Sequence, residues 1–525
     1  MPIDLIARLS HHARHRPARI ALRQGDHTLS YAELATQVAI AAAHLCALGL
    51  TPGDRLVVWA NKRIESVVLI LAAWSAGIVI VPLHPALRAG QLRDIFDRAH
   101  AHGLIIDASH AKILGFTAIA QHDLGFTPQP TQSPVAFELK AALGEAALNL
   151  THQPQPSDLA ALLYTSGSTG QPKGVMVTRG NLNHGAAAVR DYLGLTTADE
   201  LLAVLPLSFD YGLSQITTAL MAGAGVTLLN YLLPNDLKKP LLTGGITVLA
   251  GTPGLLIPLA IGTAHQTWLT DAPHLRLITN SGGKLPVATV HALRAARPQT
   301  DLYLMYGLTE AFRASFLPPA EVDAHPDSIG RAFSATVLAL VDAHGQLLPE
   351  GEAEGELVQG GVLVTAGYFN DAAATAECFR VPPTGWPNPE DRRVVFSGDR
   401  VRRDRDGRLY FLGRRDEQIK TQGYRVSPEE IEAEALRYPG VVEALAFGFA
   451  PADAPENTRI GLVIAPETVA INALHPWLQA RLAPYQMPKH TLALPVLPRS
   501  NNGKLDRSAS RAIFLKQFPS PFQAN

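Results

Sequence analysis

Short apolar runs alternate with longer segments of helical periodicity along the chain up to about Gly330. Apolar residues recur at helical spacing over Tyr31–Leu50 and Ile64–Trp74, whereas Arg55–Trp59 and Ile78–Val81 have the continuous apolar character of buried strands. The same alternation predicts a further helix, Gln215–Met221, and strands over Leu201–Leu205, Val226–Leu229, Val248–Ala250, Leu275–Thr279 and Leu302–Met305. Strands that alternate with helices indicate an α/β fold with a largely parallel sheet and helices on both faces.

The pattern changes after Gly330, where short strands with turn signals replace the alternation. Such strands are predicted over Val337–Val341, Gly355–Val358 and Leu409–Leu412, and they indicate a smaller β-rich subdomain. The charged segment Gly413–Asp416 that follows is predicted as a turn.

A compact α+β region is predicted at the C-terminal end of the chain. Ser427–Glu430 supplies an N-cap serine, a first-turn proline and two acidic residues, which together are typical of a helix start. We place a domain boundary near Asp416, giving a large N-terminal domain over residues 1–415 and a small C-terminal domain over residues 416–525.

Composition narrows the class of protein. A chain of 525 residues with 47% hydrophobic and 17% charged residues fits a globular protein of more than one domain. The formal net charge of -1 gives no support for a nucleic-acid interface or an anionic membrane surface. Two cysteines exclude a disulfide scaffold and a cysteine-rich metal site, and Cys46 and Cys378 are both predicted to be buried small apolar side chains.

Neither a secretory signal nor a membrane span is predicted. The N-terminus lacks a basic region followed by a long apolar segment. The longest apolar stretch, Val67–Val81, is interrupted by Ser75–Gly77 and followed by Pro82, so we predict a helix, a turn and a buried strand there. The cytoplasm is the expected location.

The run Tyr164–Val175 carries the strongest chemical signal in the chain. It combines three glycines, hydroxyl residues and one lysine between the apolar segments Leu159–Tyr164 and Val175–Val177. We predict a mobile loop at a strand end whose N–H groups, hydroxyls and lysine surround phosphate oxygens. A P-loop is disfavoured because Pro172 removes an N–H from the cradle and Gly174 stands where that motif needs a hydroxyl for Mg²⁺.

Three weaker segments have a related character. Tyr306–Glu310 follows a predicted strand with an aromatic ring, a hydroxyl and a carboxylate, although an ordinary tight turn has the same composition. Ser397–Asp399 places a carboxylate after the predicted strand Val394–Phe396, suited either to a ribose diol or to capping a turn. Asn501–Lys504 delivers one lysine on a glycine-hinged turn, where surface charge is the plain alternative.

Taken together, these segments resemble the adenylate-forming superfamily of acyl-CoA synthetases, amino-acid adenylation domains and firefly-type luciferases. Motifs of that superfamily occur in the expected order over essentially the whole chain: Tyr164–Val175, Tyr306–Glu310, Ser397–Asp399, Gly413–Val426 and Asn502–Lys504. The resemblance implies a large N-terminal domain and a small C-terminal domain on a hinge. Two segments, Ser208–Ser214 and Tyr306–Arg313, are similar to stand-alone prolyl-carrier-protein ligases and to exosortase-associated acyl-CoA ligase-like proteins.

The resemblance also implies roles for individual residues, with ATP and Mg²⁺ as cofactors. The β- and γ-phosphates would be held by the glycine-rich run, through Thr165, Ser166, Gly167, Ser168, Thr169, Gly170 and Lys173. Adenine would stack on Tyr306, with Gly282, Gly283 and Gly307 beside it. Thr309 would contact the α-phosphate, and Glu310 would bind Mg²⁺. Asp399 would bind the ribose, with Arg414 beside it.

The implied chemistry has two steps. A carboxylate attacks the α-phosphate of ATP and becomes an acyl-adenylate, with Mg²⁺ and Lys504 neutralising the charges that must meet. Rotation about the hinge Asp416 then replaces Lys504 by a face bearing Lys420 and Gly423, where a glycine suits a narrow pantetheine tunnel. Because the chain ends soon after Lys504, the thiol is expected on a separate carrier protein or on CoA.

The identity of the carboxylate rests mainly on Asp210. In amino-acid adenylation domains an aspartate at this place pairs with the substrate α-ammonium, but some fatty-acyl-activating relatives also carry an aspartate there. Other pocket residues implied by the resemblance are Tyr211, Ser214, Ala250, Thr279, Ser281, Met305, Arg313 and Ala314. Arg313 is unusual in an apolar pocket and either recognises a second polar group or, as the safer interpretation, pairs with a carboxylate elsewhere.

We therefore expect an AMP-forming ligase that activates a small carboxylic acid, with an amino acid such as proline favoured. An acyl-CoA synthetase for a fatty or other organic acid is the alternative. A non-catalytic nucleotide-binding relative is disfavoured because Glu310, Asp399 and Lys504 are all present.

Overall fold

The first of two large sheets contains the predicted strands of the N-terminal region. The computed structural model describes residues 4–107, 154–166, 172–231, 233–261, 269–285, 287–414, 419–426, 428–450, 457–498 and 506–518. Within these residues the sheet has five strands, in the order Gly103–Ile106, Arg55–Trp59, Val79–Pro82, Leu159–Ser166 and Pro172–Thr178. The first four strands are parallel, and the last pairs antiparallel with its neighbour as a hairpin.

The second sheet has nine strands among the described residues and is parallel in its centre. Its strand order is Arg331–Ala332, Ser315–Leu317, Asp301–Tyr306, Leu277–Asn280, Val248–Gly251, Glu200–Ala203, Gly225–Leu228, Ile20–Gln24 and His27–Ser30. The six strands from Asp301–Tyr306 to Ile20–Gln24 run parallel, and the outer strands pair antiparallel.

Helices cover both sheets, as the alternation predicts. They are Leu5–His15, Tyr31–Ala47, Ile64–Ser75, Ala89–Arg98, Arg179–Tyr192, Asp210–Ala222, Lys238–Thr243, Pro253–Ile261, Val287–Ala296 and Pro319–Val322, with 3-10 turns at Pro234–Leu237 and Thr309–Ala311. All residues of Ile64–Ser75 except Glu65 are buried, because this helix lies inside the main core. The predicted helix and buried strand within Val67–Val81 are thus confirmed. Nowhere in the described part of the chain is a helix both long and apolar enough to span a bilayer.

The β-rich subdomain follows, also as predicted. Its strands are Val337–Val341, Ala353–Gly360, Phe379–Arg380, Val394–Arg403 and Leu409–Arg414, with the helix Ala372–Cys378. Two predictions about its edges are wrong. Asp399 lies inside Val394–Arg403 rather than after a strand, and the segment predicted as a turn from Gly413 begins inside the strand that reaches Arg414. The two strands pair with Asp399 opposite Arg414, so their hydrogen bonding extends both of them.

The C-terminal region is α+β, as predicted. It contains the strands Ile419–Thr421, Tyr424–Val426, Glu443–Phe449, Arg459–Ala465 and His490–Ala493, the helices Pro428–Leu436, Ile471–Gln479 and Arg507–Gln517, and a 3-10 turn at Pro484–Gln486. Two buried apolar clusters lie wholly within this region. The proposed hinge residue Asp416 falls outside the described residues, so the domain boundary stays a prediction.

Two further details differ from the sequence-based expectations. The helix predicted from Gln215 begins at Asp210, because Gly212 lets the chain turn closely against the Pro206 carbonyl, where a Cβ would lie 1.9 Å from the oxygen. The cysteines are not both buried: Cys46 is exposed near the end of its helix, and Cys378 is half-buried.

Gly330 lies where the nine-stranded sheet contacts the β-rich subdomain, and substituting it tests how tightly the two sheets pack. Its φ is +78°, a Cβ would lie 1.8 Å from the Phe316 carbonyl oxygen, and its own carbonyl accepts a hydrogen bond from Leu409 N. We expect Gly330→Ala to lower the free energy of unfolding by about 3 kcal/mol or more, measured by urea denaturation.

Gly407→Ala is the matched control, because Gly407 has nearly the same φ, +79°, but nothing within 4 Å of a Cβ. Only the backbone cost of about 1 kcal/mol is expected there. Equal losses in the two variants would contradict the tight packing proposed at Gly330.

Candidate active site

A cavity of about 820 Å³ lies where the carboxyl ends of the parallel strands meet the C-terminal region. Ligands bind at this edge of open α/β sheets. Of the residues predicted from the sequence, the cavity wall brings together Thr165, Asp210, Ser281, Gly282, Gly283, Met305, Tyr306, Gly307, Thr309, Arg313, Lys420 and Gly423. Predicted residues that are described but do not line it are Lys173, Tyr211, Ser214, Ala250, Thr279, Glu310, Ala314 and Asp399.

Several predicted residues lie outside the described part of the chain. These are Gly167, Ser168, Thr169, Gly170, Asp416 and Lys504, and their roles stay predictions. The backbone of Ser166 and Arg414 is described as strand.

The glycine-rich run is a hairpin rather than one long loop. The prediction of a loop over all of Tyr164–Val175 is wrong, because the strands on either side continue to Ser166 and start again at Pro172. This pairing places Thr165 directly opposite Lys173. Lys173 Nζ lies 5.2 Å from the centroid of the Tyr368 ring, so the ring attracts the positive charge of the lysine.

Tyr306 and Asp399 meet although they are far apart in sequence. Tyr306 ends the strand Asp301–Tyr306, and its hydroxyl donates a 2.5 Å hydrogen bond to Asp399 Oδ2. Asp399 is completely buried, and the preceding Gly398 has a φ of +69°. The ring proposed for adenine and the carboxylate proposed for ribose are therefore tied to each other directly.

Glu310 is held by a residue that lies in none of the predicted motifs. Tyr368 donates a 2.8 Å hydrogen bond from its hydroxyl to Glu310 Oε1. Thr365 donates its N–H and its hydroxyl to the Glu310 carbonyl oxygen, at 3.0 and 2.8 Å. Burial and the Glu310 charge raise the pKa of Tyr368, so its phenol stays protonated and remains a donor.

The remaining oxygen of this carboxylate, Glu310 Oε2, is buried and has no hydrogen-bond partner among the described residues. A buried carboxylate oxygen without a donor is suited to a cation. Within the described residues no cluster of three acidic, histidine or cysteine side chains surrounds it. A metal bound here would thus need oxygens from a ligand, as Mg²⁺ commonly takes them from substrate phosphates.

Two opposite charges lie buried in the part of the cavity predicted to bind the acyl group. Asp210 is 6% exposed and Arg313 is 3% exposed. Asp210 Oδ1 accepts a 2.6 Å hydrogen bond from Tyr211 N, and Oδ2 lies 3.8 Å from Arg313 Nη1, beyond hydrogen-bond distance. Burial raises the pKa of Asp210, and the Arg313 charge opposes that increase. The carboxylate that Arg313 faces thus belongs to the pocket itself.

Hydroxyl groups that do not line the cavity pack next to residues that do. The Tyr211 hydroxyl contacts the Thr279 hydroxyl, and the Tyr192 hydroxyl donates to Met305 Sδ at 3.1 Å. Burial raises the pKa of both tyrosines, so both phenols stay protonated. Tyr192 did not stand out in the sequence because nothing near it carries a motif.

The C-terminal region contributes the hairpin Ile419–Val426 to the cavity wall. Gly423 has a φ of +83°, and a Cβ there would lie 2.9 Å from Thr252 Cγ2. Lys420 Nζ lies 4.2 Å from the centroid of the Phe411 ring. Both residues therefore lie at the cavity next to residues of the N-terminal region, and their role in the thiol route stays a prediction.

An aromatic contact holds this orientation. The Tyr424 hydroxyl and His84 Nε2 share a 2.6 Å hydrogen bond, and the Tyr424 ring stacks on Tyr485 at 4.0 Å. Burial lowers the pKa of His84 to about 4, which keeps its ring neutral near pH 7. Gln91 adds a 3.0 Å side-chain hydrogen bond to Gln486.

A family model described as AMP-binding enzyme matches residues 9–369. The chain is 34% identical over 513 residues to an L-proline--[L-prolyl-carrier protein] ligase of Streptomyces coelicolor, covering 94% of this chain and 92% of the relative.

Solved structures show the same likeness. One is a double mutant of o-succinylbenzoate CoA synthetase from Bacillus subtilis bound to a product analogue, with 25% identity and a TM-score of 0.80 over 96% of this chain and 97% of that one. Another is ATP-bound MatB from Rhodopseudomonas palustris, with 28% identity and a TM-score of 0.69 over 98% of this chain and 99% of that one.

Proposed function

The chain belongs to the AMP-binding enzyme family, and from this premise we propose that it adenylates a small amino acid and transfers it to the phosphopantetheine thiol of a carrier protein. It is an ATP-dependent, AMP-forming acid–thiol ligase. Proline is the first substrate to test, because a relative of 34% identity is named for proline and its carrier protein. The observation that carries the amino-acid assignment is the buried carboxylate of Asp210 in the cavity wall.

Asp210 is suited to an α-ammonium group. One of its oxygens already accepts a backbone hydrogen bond, whereas Oδ2 has no donor within hydrogen-bond distance at Arg313. A buried carboxylate is stabilised by a charged donor, and an α-ammonium supplies one. A fatty acid has no group that fills this position.

In the first half-reaction the substrate carboxylate oxygen forms a bond to the α-phosphorus of ATP, and pyrophosphate leaves. Thr165 and Lys173, which lie opposite each other in the hairpin, are proposed to contact the departing phosphates. Tyr306, Gly282 and Gly283 line the cavity where adenine would bind. Lys504 is proposed to bridge the two reacting anions, which repel each other without a cation.

Glu310 is the residue that would hold Mg²⁺. The Oε2 atom, which has no hydrogen-bond partner in the described part of the chain, supports this assignment, since the other carboxylate oxygen is fixed by Tyr368. When bound, Mg²⁺ supplies positive charge against the phosphate oxygens during transfer.

In the second half-reaction the thiol sulfur attacks the acyl carbon and AMP leaves. Lys420 and Gly423 lie at the cavity wall in the orientation described, which supports a thiol route along this face. We propose that residues 416–525 turn about Asp416 so that Lys504 and this face serve the two steps in succession.

ATP–pyrophosphate exchange tests the proposed function. The wild type should exchange label with at least one amino acid from a panel that also contains fatty acids, and Lys504→Ala should reduce exchange by about 100-fold or more. The same variant should still transfer the acyl group of a supplied adenylate to a carrier protein. Exchange with fatty acids alone would contradict the amino-acid assignment, and equal loss of both steps would contradict domain alternation.

Tyr368→Phe tests the support of Glu310. Loss of the hydroxyl removes the hydrogen bond to Oε1 and should raise the Mg²⁺ concentration for half-maximal exchange by about 10-fold. Tyr410→Phe is the control, because Tyr410 is similarly buried and donates its hydroxyl to Asp404 at 3.1 Å, away from the cavity wall. An unchanged Mg²⁺ concentration for half-maximal exchange in Tyr368→Phe would show that Tyr368 does not support the metal site.

A further inference from the structure

Arg313 has hydrogen-bonding capacity that the described residues do not use. Its side chain is 3% exposed and lines the cavity. Nη1 donates a 3.0 Å hydrogen bond to the Phe312 carbonyl oxygen, but Nε and Nη2 have no acceptor among the described residues. Burying a charged group with unmade hydrogen bonds is costly. Two buried N–H groups without an acceptor among the described residues, on a side chain that lines the cavity, therefore indicate that a ligand supplies the acceptors.

The position of Arg313 is enforced by its surroundings. The preceding residue, Phe312, has a φ of +53°, which is strained for a bulky residue. Gln359 is completely buried and donates its side-chain amide to the Ala311 carbonyl at 3.0 Å and to the Arg313 carbonyl. Gly185 leaves room for the Phe312 ring, since a Cβ there would lie 2.8 Å from it. Backbone strain maintained in this way is typical of functional positions.

The pair with Asp210 does not account for Arg313. At 3.8 Å the two groups attract each other but make no hydrogen bond. The rings of Tyr211 and Phe312 lie 5.3 and 5.7 Å from the guanidinium carbon and provide no oxygen acceptor at Nε or Nη2. Arg425 of the C-terminal hairpin adds a further positive charge acting on Asp210. The pocket thus presents Asp210 and Arg313 side by side, with Arg425 as a second positive charge near them.

A substrate that matches both charges carries two polar groups besides its reacting carboxylate. We propose that the preferred substrate is an α-amino acid with a side-chain carboxylate, whose ammonium binds Asp210 and whose side-chain oxygens bind Arg313. This inference rests on the proposed function and narrows its substrate class. A carboxylate can accept two parallel hydrogen bonds from a guanidinium, whereas proline would leave Nε and Nη2 unpaired.

The test compares kcat/KM for ATP–pyrophosphate exchange with aspartate, glutamate, proline and succinate. The wild type should favour aspartate or glutamate over proline by about 100-fold, as expected when buried polar groups are otherwise left unpaired. Succinate, which lacks the ammonium, should be a poor substrate. Arg313→Met keeps the length of the side chain and should lower kcat/KM for the acidic amino acid by about 100-fold.

Two controls separate recognition from folding. Arg294→Met removes an arginine that pairs with Asp323 away from the cavity wall, and should leave all four values unchanged. Arg313→Lys retains the charge but not the planar fork, and should keep part of the preference for acidic amino acids over proline. If Arg313→Met does not fold, the wild-type ratios and Arg313→Lys still decide the question.

The possible failures are distinct. If kcat/KM for proline equals or exceeds that for the acidic amino acids, this inference is wrong but the proposed ligase activity is unaffected. The same holds if kcat/KM for succinate equals that for aspartate. An unchanged acid-to-proline ratio in Arg313→Met overturns it as well. Exchange with fatty acids and no amino acid at all overturns the proposed function together with it.

Discussion

Two opposite charges buried side by side in the wall of one cavity are the constraint on which the rest of the site depends. Asp210 begins a helix after the strand Glu200–Ala203, and Arg313 follows the turn after the strand Asp301–Tyr306. The strands are parallel members of one sheet, so their carboxyl ends meet at the same edge. The two charged groups are not hydrogen-bonded to each other. The pocket therefore suits a ligand that binds both groups better than it suits a direct ion pair between them.

The groups proposed to bind the nucleotide are organised differently. They are hydrogen-bonded to other polar groups of the protein: Tyr306 to Asp399, and Tyr368 to Glu310. The first contact connects the nine-stranded sheet to the β-rich subdomain. The second connects the turn that follows this sheet to the loop preceding the helix Ala372–Cys378. The subdomain therefore fixes the orientation of the groups proposed to bind ATP, while the acyl pocket keeps its donors and acceptor open.

The sequence predicted the fold class and the family well, because both depend on local signals. Parallel strands such as Arg55–Trp59 and Leu302–Met305 are continuous apolar runs, and the order of five short motifs is specific. The family match confirms the resemblance that these motifs carried. The start of the Asp210 helix was missed because Gly212 is a poor helix former whose value lies in its close contact with Pro206.

Contacts between distant residues were beyond the reach of sequence patterns. Tyr368 lies 58 residues from Glu310, and Tyr424 lies 340 residues from His84, so no spacing rule connects either pair. Arg313 was placed in the pocket by resemblance, but its pairing with a carboxylate elsewhere was the safer expectation. The structure instead puts it beside Asp210, with two N–H donors that have no acceptor among the described residues, which only three-dimensional packing reveals.

Intact-mass spectrometry of a carrier protein tests the central claim most directly. The enzyme is incubated with ATP, Mg²⁺ and the amino-acid panel together with a carrier protein, either bearing the phosphopantetheine arm or lacking it. The account predicts release of AMP and a mass increase equal to one aminoacyl group on the armed carrier alone. Release of ADP instead of AMP, or transfer of only fatty-acyl groups, would contradict it.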